Sequence, residues 1–420
     1  MIGFKLPGAG RDRKTSAKRT ALPSTGMSSR LAALCCTLAA SLALAACAGP
    51  PVLGQQVLGY DEVAKSLDEQ LLLLNIARVD NGEGVHFTST SSIAATFDWT
   101  TTVGLGGRLN SGSAADYFDL NLGASASENP TFSIVPVSGE EFTRRVVTPF
   151  PEGAFEFLVF QGGSINQVMR LMAGGIEVQT DRGSFVRFIE NDPLRRQEYE
   201  EFRRIAMHMQ WLNDNRKLFV RSLVFEETLV ADFKGPMRAE DINNGFDKGL
   251  RWRQKPNGNF ELTRPAAGRV IVANYDPMAM SDAQRYALNE SIRNNPQGFV
   301  YLDVRPDGPG GDLPIKGAIK LRSLMQMLDF LARGIRKSEE FDVSPDPRSG
   351  KVQPGPKSTL AINVAADEPR SGPTSVRYRG QYYTVNDTAW DRTSFQMLNV
   401  LFQTTVGDIK SVGVPITIAK

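Results

Sequence analysis

Past residue 47 the chain contains no cysteine, and the three it has, Cys35, Cys36 and Cys47, fall within or at the end of one apolar run. The rest of the chain therefore has neither a disulfide framework nor a thiolate zinc site. Histidine is almost as scarce: His86 and His208 are the only two, and no H-E-x-x-H spacing occurs, so a metal centre would have to draw most ligands from carboxylates. A basic excess is missing as well. The net charge of +2 hides an asymmetry, because the first 46 residues hold seven basic side chains against Asp12 and the remainder stands at −4. A mildly acidic body offers no face to neutralise phosphates, which excludes nucleic acid as a partner. Glycine motifs fail in detail. Gly104-x-Gly106-Gly107 lacks the third position and the strand-to-helix context of a dinucleotide site. The stretch from Gly308 to Lys316 lacks Gly-Lys-Ser/Thr, and no G-x-S-x-G elbow exists. No cofactor is expected.

With 41% hydrophobic and 22% charged residues over 420 positions, the chain can bury a sizeable core. Its N-terminus is of another character. A basic stretch ends at Arg30, and Leu31 to Ala46 is almost uninterrupted leucine, alanine and small polar residues. This is the charged n-region and short h-region of a secretory signal, too short to span a bilayer with ease; a start at Met27 would give a compact leader of 20 residues. The run closes Leu44-Ala45-Ala46-Cys47, which resembles the lipobox of bacterial lipoproteins. That resemblance implies a signal peptide over 1–46, lipidation (diacylglyceryl and palmitate-type acyl chains) of Cys47, and anchorage of the mature protein by those chains. Each buried methylene contributes ~0.8 kcal/mol, so two or three chains anchor stably. Ala48 follows Cys47 in place of the aspartate that retains such proteins at the inner membrane, which points to the outer membrane, facing the periplasm.

Ala48 to Gln56 reads as a short tether, completing a lipidated segment over 47–58. Val63, Leu67, Leu71 and Leu74 then mark one face of a helix over 61–78. From Ile93 the odd positions Phe97, Trp99, Val103 and Leu105 alternate with polar residues through Leu109, a pattern of one long strand. Asn110 to Ser113 supplies turn residues, and Phe118, Leu120 and Leu122 continue the alternation on the way back. Residues 93–126 thus predict a long amphipathic β-hairpin, its apolar face covering either the protein's own core or a membrane. A spanning strand needs ~9–11 alternating residues, which both arms supply. By pattern the segment resembles the hairpin that channel lipoproteins of the curli-secretion type contribute to a shared barrel, which would imply a ring of subunits around a pore.

Further on, a strand is expected over 131–137, and Ser138 with Glu141 reads as a capping box that opens a helix to Val147. Helices follow over 154–160 and 164–173. The longest is expected from Asp192-Pro193 to Asn213, and others begin at Ser281, Ser323 and Thr388. Short strands and hairpins lie between them, with Pro/Gly-rich loops at 306–314 and 344–356. Interleaved helices and hairpins predict an α+β class, divided here into regions 59–214 and 215–420. The phrases Gln70 to Ile76 and Arg377 to Tyr383 are similar to segments of uncharacterised proteobacterial outer-membrane lipoproteins, which supports a place in the cell envelope. Adjacent acids such as Glu140-Glu141, Glu226-Glu227 and Glu339-Glu340 point away from one another. The cluster Arg377, Tyr378, Arg379, Tyr382 and Tyr383 reads as a solvated hairpin edge or a surface for a glycan or acidic partner. The expectation is a lipoprotein without enzymatic activity, associating with itself or with other envelope proteins; the alternative is a cell-wall or polysaccharide hydrolase or a glycan-binding lipoprotein.

Overall fold

The computed structural model describes residues 49–108, 117–137, 139–180, 182–293, 296–369, 374–406 and 416–419, with backbone alone for 49–57, 89–108, 117–137 and 416–419. The signal segment and Cys47 lie outside these. Contacts separate a unit ending at Glu62 from one that begins at Val63. Helix α1 (Gly49–Asp80) starts in the segment that the sequence suggests is a tether. Pro50 and Pro51 fall in its first turn, where no helical amide is needed. Leu72, Leu73, Ile76 and Ala77 are fully buried, and Gly82, at φ +76°, turns the chain after the helix.

Strands β1 (Phe87–Arg108) and β2 (Tyr117–Val137) pair antiparallel from Phe87↔Val137 to Arg108↔Tyr117, with one bulge between Thr90 and Ser92. Pro130 does not end the second strand but sits within it, opposite Ala95. The connection 109–116 lies outside the described residues. Helix α2 (Glu140–Val147) takes Gly139 at its N-cap, at φ +115° and without a side-chain cap, rather than residue 138, which is also outside them.

Helices α3 (Glu152–Phe160) and α4 (Ile165–Met172) come next, α4 capped by the Ser164 hydroxyl as its sequence indicates. Strand β3 (Ala173–Gln179) follows without a break and pairs with β4 (Phe185–Glu190). Helix α5 (Arg196–Asp214) is long but is exceeded by α1, 19 residues against 32. Strand β5 (Phe219–Phe233), helix α6 (Ala239–Asp247), strands β6 (Arg251–Gln254) and β7 (Phe260–Ala273) and helix α7 (Asp282–Ile292) follow. Strands β8 (Phe299–Val304) and β9 (Ile315–Leu321) and helix α8 (Leu324–Arg336) come next. Strands β10 (Ile362–Ala365), β11 (Ser375–Tyr378) and β12 (Gln381–Val385), helix α9 (Ala389–Val406) and strand β13 (Ile416–Ala419) complete the chain. Ser281 and Ser323 open α7 and α8 with full capping boxes to Gln284 and Gln326.

The class is α+β. The main sheet runs β4-β3-β9-β8-β7-β5, with β6 added to β7, and β7–β8 is its one parallel pair. Because β3 and β4 precede residue 215 and the others follow it, one sheet spans both regions named from the sequence. Two three-stranded sheets, β10-β12-β11 and β1-β2-β13, complete the set among the described residues. Period-two alternation feeds two cores from the same strands. Val270, Val272, Val300, Leu302 and Val304 enter the large core with α1–α5, α8 and α9, while Ile271, Ala273 and Tyr301 join Leu223, Phe225 and Ile292 on the other face.

An ion pair lies inside this packing. Arg170 is wholly buried and its guanidinium meets Glu340 at 3.0 Å. The same guanidinium donates to the carbonyls of Pro356 (2.8 Å) and Lys357 (2.7 Å) and to Thr359 (3.2 Å). Glu340 also accepts from the Tyr199 hydroxyl (2.7 Å) and from the Thr359 amide and hydroxyl (2.5 and 2.8 Å). Burial pushes the Glu340 carboxyl up, but Arg170 and these donors outweigh it and the net direction is downward. The carboxylate is therefore ionised, with its lone pairs occupied. Removing one partner strands the other charge away from water, at a cost of about 3–5 kcal/mol. Glu340→Ala is expected to lower the unfolding free energy by that amount in urea titrations. A change below ~1 kcal/mol would mean that the cluster is solvated and weak.

Candidate functional site

Backbone register gives the long strand pair its character. Ile93, Trp99, Val103 and Leu105 of β1 lie opposite Phe132, Ala126, Leu122 and Leu120 of β2, and Gly107 lies opposite Phe118. Directly opposed residues of an antiparallel pair share a face. Most apolar positions of the two strands therefore coincide; Phe97 opposite Glu128, Ala124 opposite Thr101 and, below the bulge, Ile134 opposite Thr90 and Val135 opposite Ser89 do not. The alternate positions pair Asp98 with Ser127, Thr100 with Ser125 and Gly104 with Asn121. The side chains of Phe97, Trp99, Val103, Leu105, Phe118, Leu120 and Leu122 lie outside the described residues, as does Cys47. At its root the pair is held by rings. Phe87, 3% exposed, stacks on Phe402 at 5.5 Å and meets the edge of Phe142 at 5.4 Å.

A cleft of about 920 Å³ opens where β8 ends, between α5 and the loops after residues 305 and 345. Both loops belong to the Pro/Gly-rich stretches that the sequence marks. Five basic and five acidic side chains line it, so it has no net sign. Arg187 holds Glu201 with two bonds of 2.5 and 2.7 Å, and Arg348 holds Asp346 at 2.9 Å. Arg204 reaches Glu200 at 3.8 Å. Asp303, buried at the end of β8, accepts from Arg305 (3.0 Å) and from the Tyr275 hydroxyl (2.7 Å), and Arg305 lies over the Tyr275 ring at 3.8 Å. Hydrogen bonds from Arg348 hold the Asp346 carboxyl down to about 2. Burial and then Asp303 push the Tyr275 hydroxyl up.

A general acid needs a carboxyl that keeps its proton near neutral pH, whereas four of the carboxylates here are gripped by arginines. The arrangement suits recognition of a polar, uncharged ligand better than proton transfer. Among the described residues no group of three or more His, Cys, Asp or Glu side chains is placed to hold a metal ion. The acid inside the apolar run Phe299 to Val304, Asp303, is a signal that the sequence reading passed over.

The aromatic and basic cluster near the C-terminus is largely engaged within the protein. Arg379 and Gly380 both have positive φ, 47° and 79°, the geometry of a tight two-residue hairpin turn. Tyr378 and Arg379 both bind Glu83. Tyr383 is buried, donates to Asp80 (2.8 Å) and accepts from Asn81 (2.8 Å). Arg377 and Tyr382 face each other instead, the guanidinium 5.7 Å from the ring. The second half of α1, the turn after it and the hairpin at 377–383 thus meet in one place, the hairpin clamping that turn.

His208 ties the cleft loops to α5. One ring nitrogen, Nδ1, faces the Ser349 hydroxyl at 2.8 Å and the other, Nε2, the Gly310 carbonyl at 3.2 Å. A carbonyl can only accept, so Nε2 carries the proton. His86 offers its backbone amide, not its ring, to Asn75. Comparison with protein-family models, curated proteins and solved structures finds no match to this chain.

Burial holds the His208 imidazole below its ordinary value of 6.5. The unfolded chain then binds the proton more readily than the folded one, so the stabilisation from neutral His208 is complete above that value and fades as pH falls below it. The native chain should lose stability from about pH 7 to 5 more steeply than His208→Gln. Parallel urea midpoints for the two chains over that range would refute the assignment.

Proposed function

We propose that this chain is a lipid-anchored cell-envelope protein without enzymatic activity, held at the outer membrane through Cys47. In it, β1 and β2 furnish a hairpin to an oligomeric β-barrel pore. The observation that supports this reading is the register of the two strands, which brings most apolar positions of both onto one face, Glu128 and Thr101 sharing it, and mostly polar positions onto the other.

Three physical points support it. A two-stranded pair is at best marginally stable in water. Among the described residues only the four-residue β13 joins it, opposite Thr131 to Ile134. The outer edge of β1 and most of that of β2 therefore take no strand, and a ring of copies closes such edges on one another. At ~3.3 Å per residue the strands extend roughly 70 Å, more than twice the ~25 Å apolar band of an outer-membrane barrel. The part nearest residues 109–116 would cross the bilayer, and the part nearest Phe87 would form a neck. A glycan-binding role for the body is the second reading, favoured by the size and neutral sign of the cleft alone.

Lysine at Val103 and Leu105 decides between membrane and core. On a lipid-facing strand each lysine costs about 2–4 kcal/mol at the midplane. The double variant should therefore lose pore conductance and its heat-resistant oligomer while the body keeps its urea midpoint. Lysine at Thr102, on the other face, should be tolerated. A fall in the midpoint of the body itself would show that the hairpin packs on its own core.

A further inference from the structure

Beyond its bulge the strand pair has a second face, and its charges are few. From Ser92 to Arg108 the even positions of β1 read Ser, Ala, Thr, Asp, Thr, Thr, Gly, Gly and Arg. Opposite them, from Ser133 back to Tyr117, β2 supplies Ser, Thr, Asn, Ser, Ser, Gly, Asn, Asp and Tyr. Only Asp98, Arg108 and Asp119 are charged. Arg108 and Asp119 are diagonal neighbours at the far end of the pair, ~7–8 Å apart along the backbone lattice, so that end carries no net charge. Asp98 stands apart from them. Ser127 lies opposite it, Ser125 and Asn129 are its diagonal neighbours, and Thr96 and Thr100 flank it along β1 on the same face. Arg108, the one basic residue on this face of either strand, is roughly 33 Å away at ~3.3 Å per residue.

The other face gives this acid a depth. Trp99 and Phe118, the latter opposite Gly107, bound a stretch in which Thr101 is the one polar position. Eight register steps separate them, roughly 26 Å along the strands and ~20 Å once these tilt. That is the scale of the ~25 Å apolar band between the aromatic girdles of an outer-membrane barrel. Glu128, the charge on this face, falls outside the stretch, toward Phe87. Asp98 precedes Trp99, so in the proposed barrel it takes the level of the girdle nearer the body, at that mouth of the pore.

We infer that the pore passes cations in preference to anions, and that Asp98, one per copy, sets the preference. The inference rests on the proposed barrel and adds the class of solute it admits. In a closed ring the outer edge of β1 meets β2 of the next copy. From Tyr117 to Ser133 the polar face of β2 has no lysine or arginine. The next copy therefore brings no cation to Asp98 in any register that keeps the polar faces together. The acids form a ring on a face otherwise made of hydroxyls, amides and glycine, and rings of carboxylates are how cation channels favour their ions.

The test records the full-length oligomer in planar lipid bilayers under a gradient of KCl. Potassium should pass roughly tenfold more readily than chloride at ~0.1 M salt. The preference should fade at ~1 M, where the Debye length falls to ~3 Å. Asp98→Asn should keep the heat-resistant oligomer and its conductance but lose the preference, whereas Glu128→Gln should retain all three. Past Cys47 the chain has no cysteine, so Asp98→Cys adds a single reactive thiol. An anionic methanethiosulfonate reagent should restore the preference in those channels, and a cationic one should turn it to chloride. A native pore that is unselective or favours chloride, or a preference unmoved by the charge at position 98, would overturn the assignment and leave the barrel standing. A chain that conducts no ions would overturn both.

Discussion

A guanidinium removed from water organises the body of this protein. Arg170 sits on α4, its carboxylate partner follows α8, its carbonyl partners lie in the segment before β10, and Trp390 of α9 lies 5.3 Å away beneath it. The second and third of these are the two ends of one connection; α4 and α9 are far from it in sequence. A buried charge cannot tolerate a missing partner, so the Pro/Gly-rich stretch around residues 344–356 is held at both ends although it has no regular structure. Arg322 repeats the device, donating to the carbonyls of Arg170, Leu171 and Asn191 from a stack on Phe330. Apolar packing supplies the volume of the core, and these two arginines fix which segments meet in it.

The parts of the fold that were legible in the sequence are those governed by local rules. Ser164, Ser281 and Ser323 announced three helices because a hydroxyl at the N-cap needs only its own next turn. Arg379-Gly380 announced a hairpin for the same kind of reason. Strands β3 and β4 were not legible: Ala173-Gly174-Gly175 has little strand propensity, and it is extended because β9 lies alongside it. The start of α1 was missed because paired prolines suggest a tether, although the first turn of a helix accepts them. The loops of the cleft were legible, but its charge pairing was not, for a different reason. Its charges come from β4, α5, β8 and two loops, and no spacing in one dimension brings Arg187 to Glu201 or Tyr275 to Asp303.

The exposed features divide between the two ends of a functional scheme. On the proposed reading the strand pair turns its mostly apolar face to lipid. The cleft is polar, balanced in charge and framed by loops tied down through His208. On the proposed reading, a protein that orients itself at a bilayer while meeting soluble material has use for both. Keeping them on separate elements lets one change without disturbing the packing of the other.

The aromatic root of the strand pair has a consequence for the order of events during synthesis. Phe87 stacks on a ring that is added to the chain near its end, and β2 takes its third strand from residues later still. Contacts so distant in sequence form late, since long loops must close before such contacts can hold. Until α9 is made, nothing covers Phe87 from that side, and a one-residue slip between β1 and β2 would exchange their faces. Residues 389–419 thus serve as a latch: the strands acquire a fixed footing only once these have been made, so a chain that stops before them would leave the β1–β2 pair without one.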